Sequence, residues 1–479
     1  MNAIHKELKT PFPDKTLIFL PTQFRKLTRL RVVLPALQRR NLATAGGTQG
    51  KPRVVVLGSG WGGFHVAKNL DKDKYDVRVI SPANHFLFTP LLPSTAVGTL
   101  EFRCIQEPVR TIPGLGEYYQ AKARTIDFDT REISCSDIFK EKEFKIQYDF
   151  LVIATGAKTN TFNTPGVDER EGDEVMFLKH LYHSRKIRNR ILECFERASV
   201  PSNTAVKDRD RLLSFVVVGG GPTSCEFTGE LHDFVREDCT RWFPDLKEHI
   251  KITLVEAGPA LLGGFEKSLS KYVLSDLKKR NVDIRLGAQG RPGVQAILAD
   301  GTKLPFGMMV WSAGLKQVKF VDRLNLAHGR TGRLVIDEYL QVPQHQGRVF
   351  ALGDCAANEE NPLAPLAKVA QQHGEYLAKI LNTHPDPQQP VDPASVSKPF
   401  RFFNPGSMAQ LGLFKGVLDL SNVGPDKGEV HGGPTITGFA AWLTWRSAYW
   451  GKQVSLRNKI LIPMHWFKSF VFGRDICRF

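Results

Sequence analysis

The sequence predicts an α/β protein of two similar parallel-sheet units followed by a C-terminal amphipathic region. Three observations carry that prediction. The apolar run Val54-Val55-Val56-Leu57 enters a glycine-rich turn, Gly58-Ser59-Gly60-Trp61-Gly62-Gly63. A second run, Phe215-Val216-Val217-Val218, enters Gly219-Gly220-Gly221-Pro222-Thr223-Ser224. Further short apolar runs end in small-residue turns. Uninterrupted apolar strands are what a sheet covered on both faces requires.

The first turn reads G-x-G-x-x-G between a strand and a helical stretch over residues 64–70. Gly58 permits the tight turn, Gly60 lets the backbone approach a pyrophosphate, and Gly63 allows close helix–strand packing. The anion sits on the helix N-terminus, where free N–H groups and the dipole favour it. This is a Rossmann-like dinucleotide-binding domain. The next strand, residues 76–80, ends at Ser81, where an acid usually binds the adenosine ribose. Ser81 can make one such bond without adding charge.

In the second turn Ser224 stands at the third glycine position, with Gly219 and Gly221 before it. A helix is expected from Cys225, continuing as a long amphipathic helix over residues 226–249. The strand Lys251-Ile252-Thr253-Leu254-Val255 then ends at Glu256. Glu256 lies 37 residues after Gly219, against about 20 in the usual spacing. The long helix accounts for the excess. Glu256 would bind the 2′-hydroxyl of an NAD ribose and repel a 2′-phosphate, which predicts preference for NADH over NADPH.

Three more segments close the pattern. Phe150-Leu151-Val152-Ile153 enters Ala154-Thr155-Gly156, and Val310-Trp311-Ser312 enters Ala313-Gly314. Val349-Phe350-Ala351-Leu352 ends at Gly353-Asp354, where the Asp is placed to bind flavin ribityl hydroxyls. Two such units imply two dinucleotides, a tightly held flavin (FAD) and a mobile nicotinamide (NADH).

Composition narrows the class. A length of 479 residues suggests two to four domains. The net charge is +16, of which residues 1–42 carry +7 and residues 438–474 carry +6. The body is therefore nearly neutral, so no nucleic-acid partner is expected. The seven cysteines form no CxxC pair, which speaks against a zinc site or a redox dithiol, and no metal is expected. No apolar run reaches the about 18 residues of a spanning helix. Residues 22–42 hold six Arg and Lys and no acid, the composition of a mitochondrial transit peptide. Arg40-Asn41-Leu42 resembles a matrix-protease cleavage site. Residues 43–51 read as a flexible linker.

The C-terminal region is basic and aromatic. Trp442, Trp445 and Tyr449 share one helical face, and Ile460, Met464, Phe467 and Val471 suggest a second apolar stripe. Helices with apolar faces and Lys/Arg rims lie in a membrane interface. A core helix or a dimer interface could use the same faces.

The order of these motifs resembles that of the pyridine-nucleotide disulfide oxidoreductase-like fold, without its cysteine pair. Phe86-Leu87-Phe88-Thr89-Pro90-Leu91-Leu92-Pro93, residues 219–230, residues 438–449 and Phe472-Gly473-Arg474-Asp475 resemble segments of type II NADH dehydrogenases. The resemblance covers roughly residues 52–479. It implies that Thr89 and Pro90 pack against FAD and that Glu226 lies near nicotinamide and quinone. It also implies a Gln-containing helix after Asp354. Gln372 matches its second glutamine, whereas Lys368 replaces the first and could favour a reduced flavin or alter the quinone pocket.

The resemblance implies a mitochondrial NADH:ubiquinone oxidoreductase that does not pump protons. It would be peripheral on the inner membrane, on the matrix face, and a homodimer. Glu226 would orient nicotinamide or relay a proton, and Tyr449 would line the quinone route. The expected organisation is a leader and linker (1–50) and a discontinuous FAD-binding domain (51–170 and 330–395). An NADH-binding domain (171–329) and a membrane-anchoring, dimerising region (396–479) complete it. Alternatives are another quinone reductase, such as a sulfide-dependent one, or a mitochondrial signalling flavoprotein that binds NADH.

Overall fold

The computed structural model describes residues 50–168, 173–201, 205–288, 290–292, 295–298, 302–425 and 432–478. The expected leader, residues 1–42, and the linker up to residue 49 lie outside the described residues.

Two five-stranded parallel sheets organise the chain. The first runs Val349–Ala351, Phe150–Ile153, Arg53–Leu57, Asp76–Ile80, Glu117–Tyr119. The second runs Val175–Phe177, Met308–Trp311, Ser214–Val218, Lys251–Val255, Asp283–Arg285. In both, the strand feeding the glycine turn is central. Its side chains are removed from water on both faces, and Val54, Val55 and Val56 are fully buried. Central position and Val-rich composition go together, because a branched apolar side chain packs well on a pleated surface.

The first sheet is completed from far along the chain, with Val349 opposite Leu151. The chain leaves this sheet through Ala157–Thr159 and returns through Leu315–Gln317, and these two strands pair antiparallel. Helix Ala367–Thr383 then packs on helix Trp61–Asn69. Gly374 permits that approach, since a Cβ there would lie 2.6 Å from the Gly62 carbonyl oxygen.

The helix expected over residues 226–249 is different in the structure. It starts at Pro222, whose missing N–H costs nothing in a first turn. It continues to Asp233, widens into a π-helical stretch over Phe234–Cys239, and ends at Trp242. Pro244 stops it, because the residue before a proline is pushed out of helical geometry. Phe243 shows this, with φ −125° and ψ 60°. A 3₁₀ turn, Pro244–His249, follows.

The C-terminal region has a three-stranded antiparallel sheet, Ser407–Gln410, Gly416–Asp419 and Thr435–Thr437. Helices Gly438–Gly451 and Leu456–Phe472 follow. Trp442 and Trp445 are buried against the body, and Tyr449 packs on it. The face expected to meet a membrane is thus a packing face, because this helix is apolar on both sides. Its exposed apolar residues are Phe439, Leu443 and Trp450. In the last helix, Ile460, Met464, Phe467 and Val471 are all more than half exposed. The opposite side is anchored: Asn458 Nδ2 donates to Glu107 Oε1 at 2.8 Å, and Ser469 Oγ to the Thr99 carbonyl at 2.9 Å. Among the described residues no helix is long and apolar enough to cross a membrane.

Candidate functional site

One cleft of about 2210 Å³ is lined by both glycine turns. The first unit contributes Gly58, Gly60, Ser81, Thr89, Ala154, Thr155, Gly156, Gly353 and Asp354. The second contributes Gly221, Ser224 and Gly314. Leu461 and His465 of the last helix line it too. Parallel strands end on one side, so both turns and the small-residue loops meet at the carboxyl ends of the sheets. That is where open α/β sheets bind ligands.

In the first turn, Gly58 has φ +113°, and a Cβ there would lie 2.3 Å from the Ala154 carbonyl oxygen. Gly63 sits behind the turn, where a Cβ would lie 2.1 Å from the Gly58 carbonyl oxygen. Gly60 faces open space. The backbone at Gly60 is thus free for a pyrophosphate, on the N-terminus of a nine-residue helix. Ser81 spends its hydroxyl on Ser59 Oγ at 2.9 Å, and Ser59 also bonds the Ala83 carbonyl. Thr89 accepts from Trp61 Nε1 at 3.0 Å, which ties the 86–93 loop to the helix. Pro90 lies outside the lining, in the middle of the 3₁₀ turn Thr89–Leu91.

Asp354 is half-buried, and its carboxylate has no hydrogen-bond partner among the described residues. Burial pushes its carboxyl above the usual range, while Lys179 and Arg333 pull the other way. An acid in a cleft, beside a turn open to a pyrophosphate, fits the ribityl and phosphate parts of FAD.

The second turn repeats the geometry, with Gly219 at φ +118°. Ser224 Oγ meets Ser312 Oγ at 2.7 Å, so the hydroxyl that replaces a glycine joins this turn to the 312–314 loop. Glu256 stands beside the turn, where a Cβ on Gly220 would lie 2.7 Å from its carboxylate. Its Oε1 accepts from the Gly258 N–H at 2.5 Å. Gly219, Glu256 and Ala313 lie behind the lining surface rather than on it.

Glu226 and Tyr449 also stand behind the lining. Glu226 is one helical turn beyond Thr223 and is buried. Its Oε1 accepts from the Gln410 N–H at 3.2 Å and from Trp445 Nε1 at 3.0 Å. Burial pushes its carboxyl up to about 8, the two hydrogen bonds oppose the rise, and Glu230 adds to it. The Tyr449 ring lies 4.8 Å from Trp445 and 5.8 Å from Phe88, and the Phe88 ring lies tilted at 5.3 Å from Trp61, which lines the cleft. Burial raises the Tyr449 hydroxyl above its ordinary value.

Lys368 does not face the cleft. Its ammonium donates to Asn404 Oδ1 at 2.8 Å, the Gly406 carbonyl at 3.0 Å and Ser407 Oγ at 3.3 Å. A Gln side chain is too short in donors to replace those contacts. Gln372 exchanges two hydrogen bonds with the Phe403 backbone, at 2.8 and 2.9 Å. Both residues hold the start of the C-terminal region to helix Ala367–Thr383.

Some lining residues carried little sequence signal. Lys179 stands two residues after the buried strand Val175–Phe177, and a charge so near a buried strand end was the available clue. Burial lowers its ammonium from the usual range, and Asp354 opposes that. His465, next to Met464 of the apolar stripe, carried no site signal of its own in the sequence. No cysteine lines the cleft among the described residues.

Two nucleotide turns opening on one cleft define an oxidoreductase of the two-dinucleotide class. Residues 52–374 match the pyridine nucleotide-disulphide oxidoreductase family, and residues 405–475 match the NDH2 C-terminal domain. The chain belongs to that family. It is 41% identical over 437 residues to a probable NADH dehydrogenase of Dictyostelium discoideum, covering 89% of this chain and 91% of the relative. It is 39% identical to an internal alternative NAD(P)H-ubiquinone oxidoreductase of Arabidopsis thaliana mitochondria, covering 89% and 86%. An external NADH-ubiquinone oxidoreductase of Saccharomyces cerevisiae mitochondria is 36% identical, with 89% and 82% covered. Among solved structures, NDH2 from Plasmodium falciparum in complex with NADH superposes with a TM-score of 0.80 at 25% identity. That match covers 89% of this chain and all of the other.

Proposed function

We propose that this chain is a type II, non-proton-pumping NADH:ubiquinone oxidoreductase that holds FAD in the first unit and takes NADH at the second. One observation carries the quinone step. The helix that supplies Leu461 and His465 to the cleft exposes Ile460, Met464 and Phe467 on the adjoining face. A lipid-dissolved acceptor reaches the cleft beside a helix lying in the interface. The names of the mitochondrial relatives support the same reading.

The first glycine turn and Asp354 would hold FAD, which would supply hydride acceptance from NADH and two-electron transfer to the quinone. The residues do the rest. The first glycine turn carries the pyrophosphate, and Asp354 binds ribityl hydroxyls. Glu256 accepts from the ribose of NADH, and the loop ending at Gly314 leaves room for the nicotinamide end. Glu226 holds a proton at neutral pH and serves as the reserve for the quinol, with Tyr449 between it and the aromatic wall. Lys368 and Gln372 act by positioning the C-terminal region rather than by touching the reacting atoms.

The apolar face and the Lys/Arg of residues 438–474 seat the enzyme on the mitochondrial inner membrane as a peripheral protein. The matrix face and a homodimer are the finer parts of the proposal. Protease protection in intact mitoplasts and sedimentation in detergent test them.

The test of function is oxidation of NADH by short-chain ubiquinone, using detergent-purified protein carrying FAD. Rapid quinone-dependent turnover supports the reading. Flavin reduction by NADH without turnover on quinone overturns the quinone step and favours a signalling flavoprotein.

A further inference from the structure

Glu226 is followed one helical turn later by Glu230, and both side chains are buried. Two carboxylates so close cannot both be charged cheaply, so the surroundings decide which is ionised. They treat the two differently. Glu230 Oε1 accepts from Ser94 Oγ at 2.9 Å and Gln410 Nε2 at 2.7 Å. Its Oε2 accepts from Thr99 Oγ1 at 2.6 Å and Arg474 Nη2 at 3.3 Å. Four donors on two oxygens, one of them a guanidinium, suit the anion. Glu226 receives two donors, both on Oε1, and its Oε2 accepts none of the described hydrogen bonds. Gln410 joins the two, by its backbone N–H to Glu226 and its side-chain amide to Glu230.

Arg474 is aimed. Asp238 accepts from its backbone N–H at 2.9 Å and from Nη1 at 2.8 Å. Its Nε donates to Thr99 Oγ1 at 2.9 Å. Gly473, at φ +78°, turns the chain so closely that a Cβ would lie 2.7 Å from Asp238 Oδ1. Asp238 itself lies in the π-helical stretch, where an inserted residue redirects side chains. A second cation, Arg446, stacks between Trp442 at 4.2 Å and Trp466 at 4.5 Å and is attracted by Glu230. The groups facing Glu226 are therefore Gln410, Trp445, Tyr449 and Glu230. Those facing Glu230 are Ser94, Thr99, Gln410, Arg446 and Arg474.

We infer that Arg474 is a positioning residue for the quinone half-reaction: it holds Glu230 as the anion and so fixes the proton on Glu226. The inference rests on the reading of Glu226 as the proton reserve. Removing Arg474 leaves the Glu230 charge less compensated, which strengthens the hold of Glu226 on its proton. Removing the charge of Glu230 weakens it.

The experiment follows flavin reoxidation by short-chain ubiquinone across pH in the FAD-loaded full chain, with flavin reduction by NADH as the control. The wild type shows an inflection that Glu226→Gln abolishes. Arg474→Met moves the inflection up by about half a pH unit or more, and Glu230→Gln moves it down by a similar amount. Arg474→Lys restores it, and the double variant Arg474→Met/Glu230→Gln falls on the side of Glu230→Gln. Should Arg474→Met fail to fold, Glu230→Gln and Arg474→Lys decide alone. An inflection abolished by Glu226→Gln yet unmoved by Glu230→Gln and Arg474→Met overturns the inference alone. An inflection unaffected by Glu226→Gln overturns the underlying role of Glu226.

Discussion

The indole Nε1 of Trp445 donates to the buried carboxyl of Glu226 across 3.0 Å, joining the C-terminal helix to the helix that leaves the second glycine turn. Burial dominates this carboxyl and pushes it from 4.5 up to about 8. Between those values the folded chain keeps a proton that the unfolded chain has released. Stability from this group is therefore present at the acid side and falls as pH rises through the window, by at most about 1.4 kcal/mol per pH unit. Urea unfolding of Glu226→Gln should lose less stability than wild type between about pH 5.5 and 8. Parallel curves would show that Glu226 is not protonated in the fold. Trp445→Phe removes a donor that favours the charged form, at a cost of about 1–3 kcal/mol.

Glu256 stands against the second turn with its carboxylate fixed by the Gly258 N–H. Glu256→Gln removes the charge that opposes a 2′-phosphate. The ratio of NADH to NADPH kcat/KM should fall by about tenfold or more. An unchanged ratio would place the selectivity elsewhere.

Lys368 spends its ammonium on Asn404, Gly406 and Ser407, away from the cleft. Lys368→Gln should lower stability by about 1–3 kcal/mol and leave the flavin reduction potential unchanged. A shifted potential in a variant of normal stability would put the ammonium near the flavin after all.

Met464 and Phe467 are exposed on the last helix. Burying each such side chain in lipid is worth about 1.5–3 kcal/mol. The double variant Met464→Asp/Phe467→Asp should lose vesicle flotation while NADH still reduces the flavin. Retained flotation would move the docking face to Phe439, Leu443 and Trp450.

The two glycine turns were legible because their physics is local. An apolar strand, a glycine that must take positive φ and a helix start lie within ten or so residues, and each constrains its neighbours. The return of the chain to finish the first sheet was also readable, since Val349-Phe350-Ala351 is an uninterrupted apolar run like its partner strand Phe150–Ile153. Packing of the C-terminal helix was not. Trp442, Trp445 and Tyr449 formed an apolar face that suits a lipid surface as well as a protein core, and composition does not distinguish the two.

By itself the sequence determined where the two glycine turns lie and which strands carry them. Only the tertiary structure decided what the buried charges meet. Glu230 and Arg474 are 244 residues apart and share no motif, yet the burial of one demands the other. Lys368 likewise faces the 404–407 segment instead of the cleft because residues 403–407 are bonded to its helix. Short-range periodicity specifies elements and their ends. The dielectric around a charge, and the donor that satisfies it, depend on which distant segment closes over it.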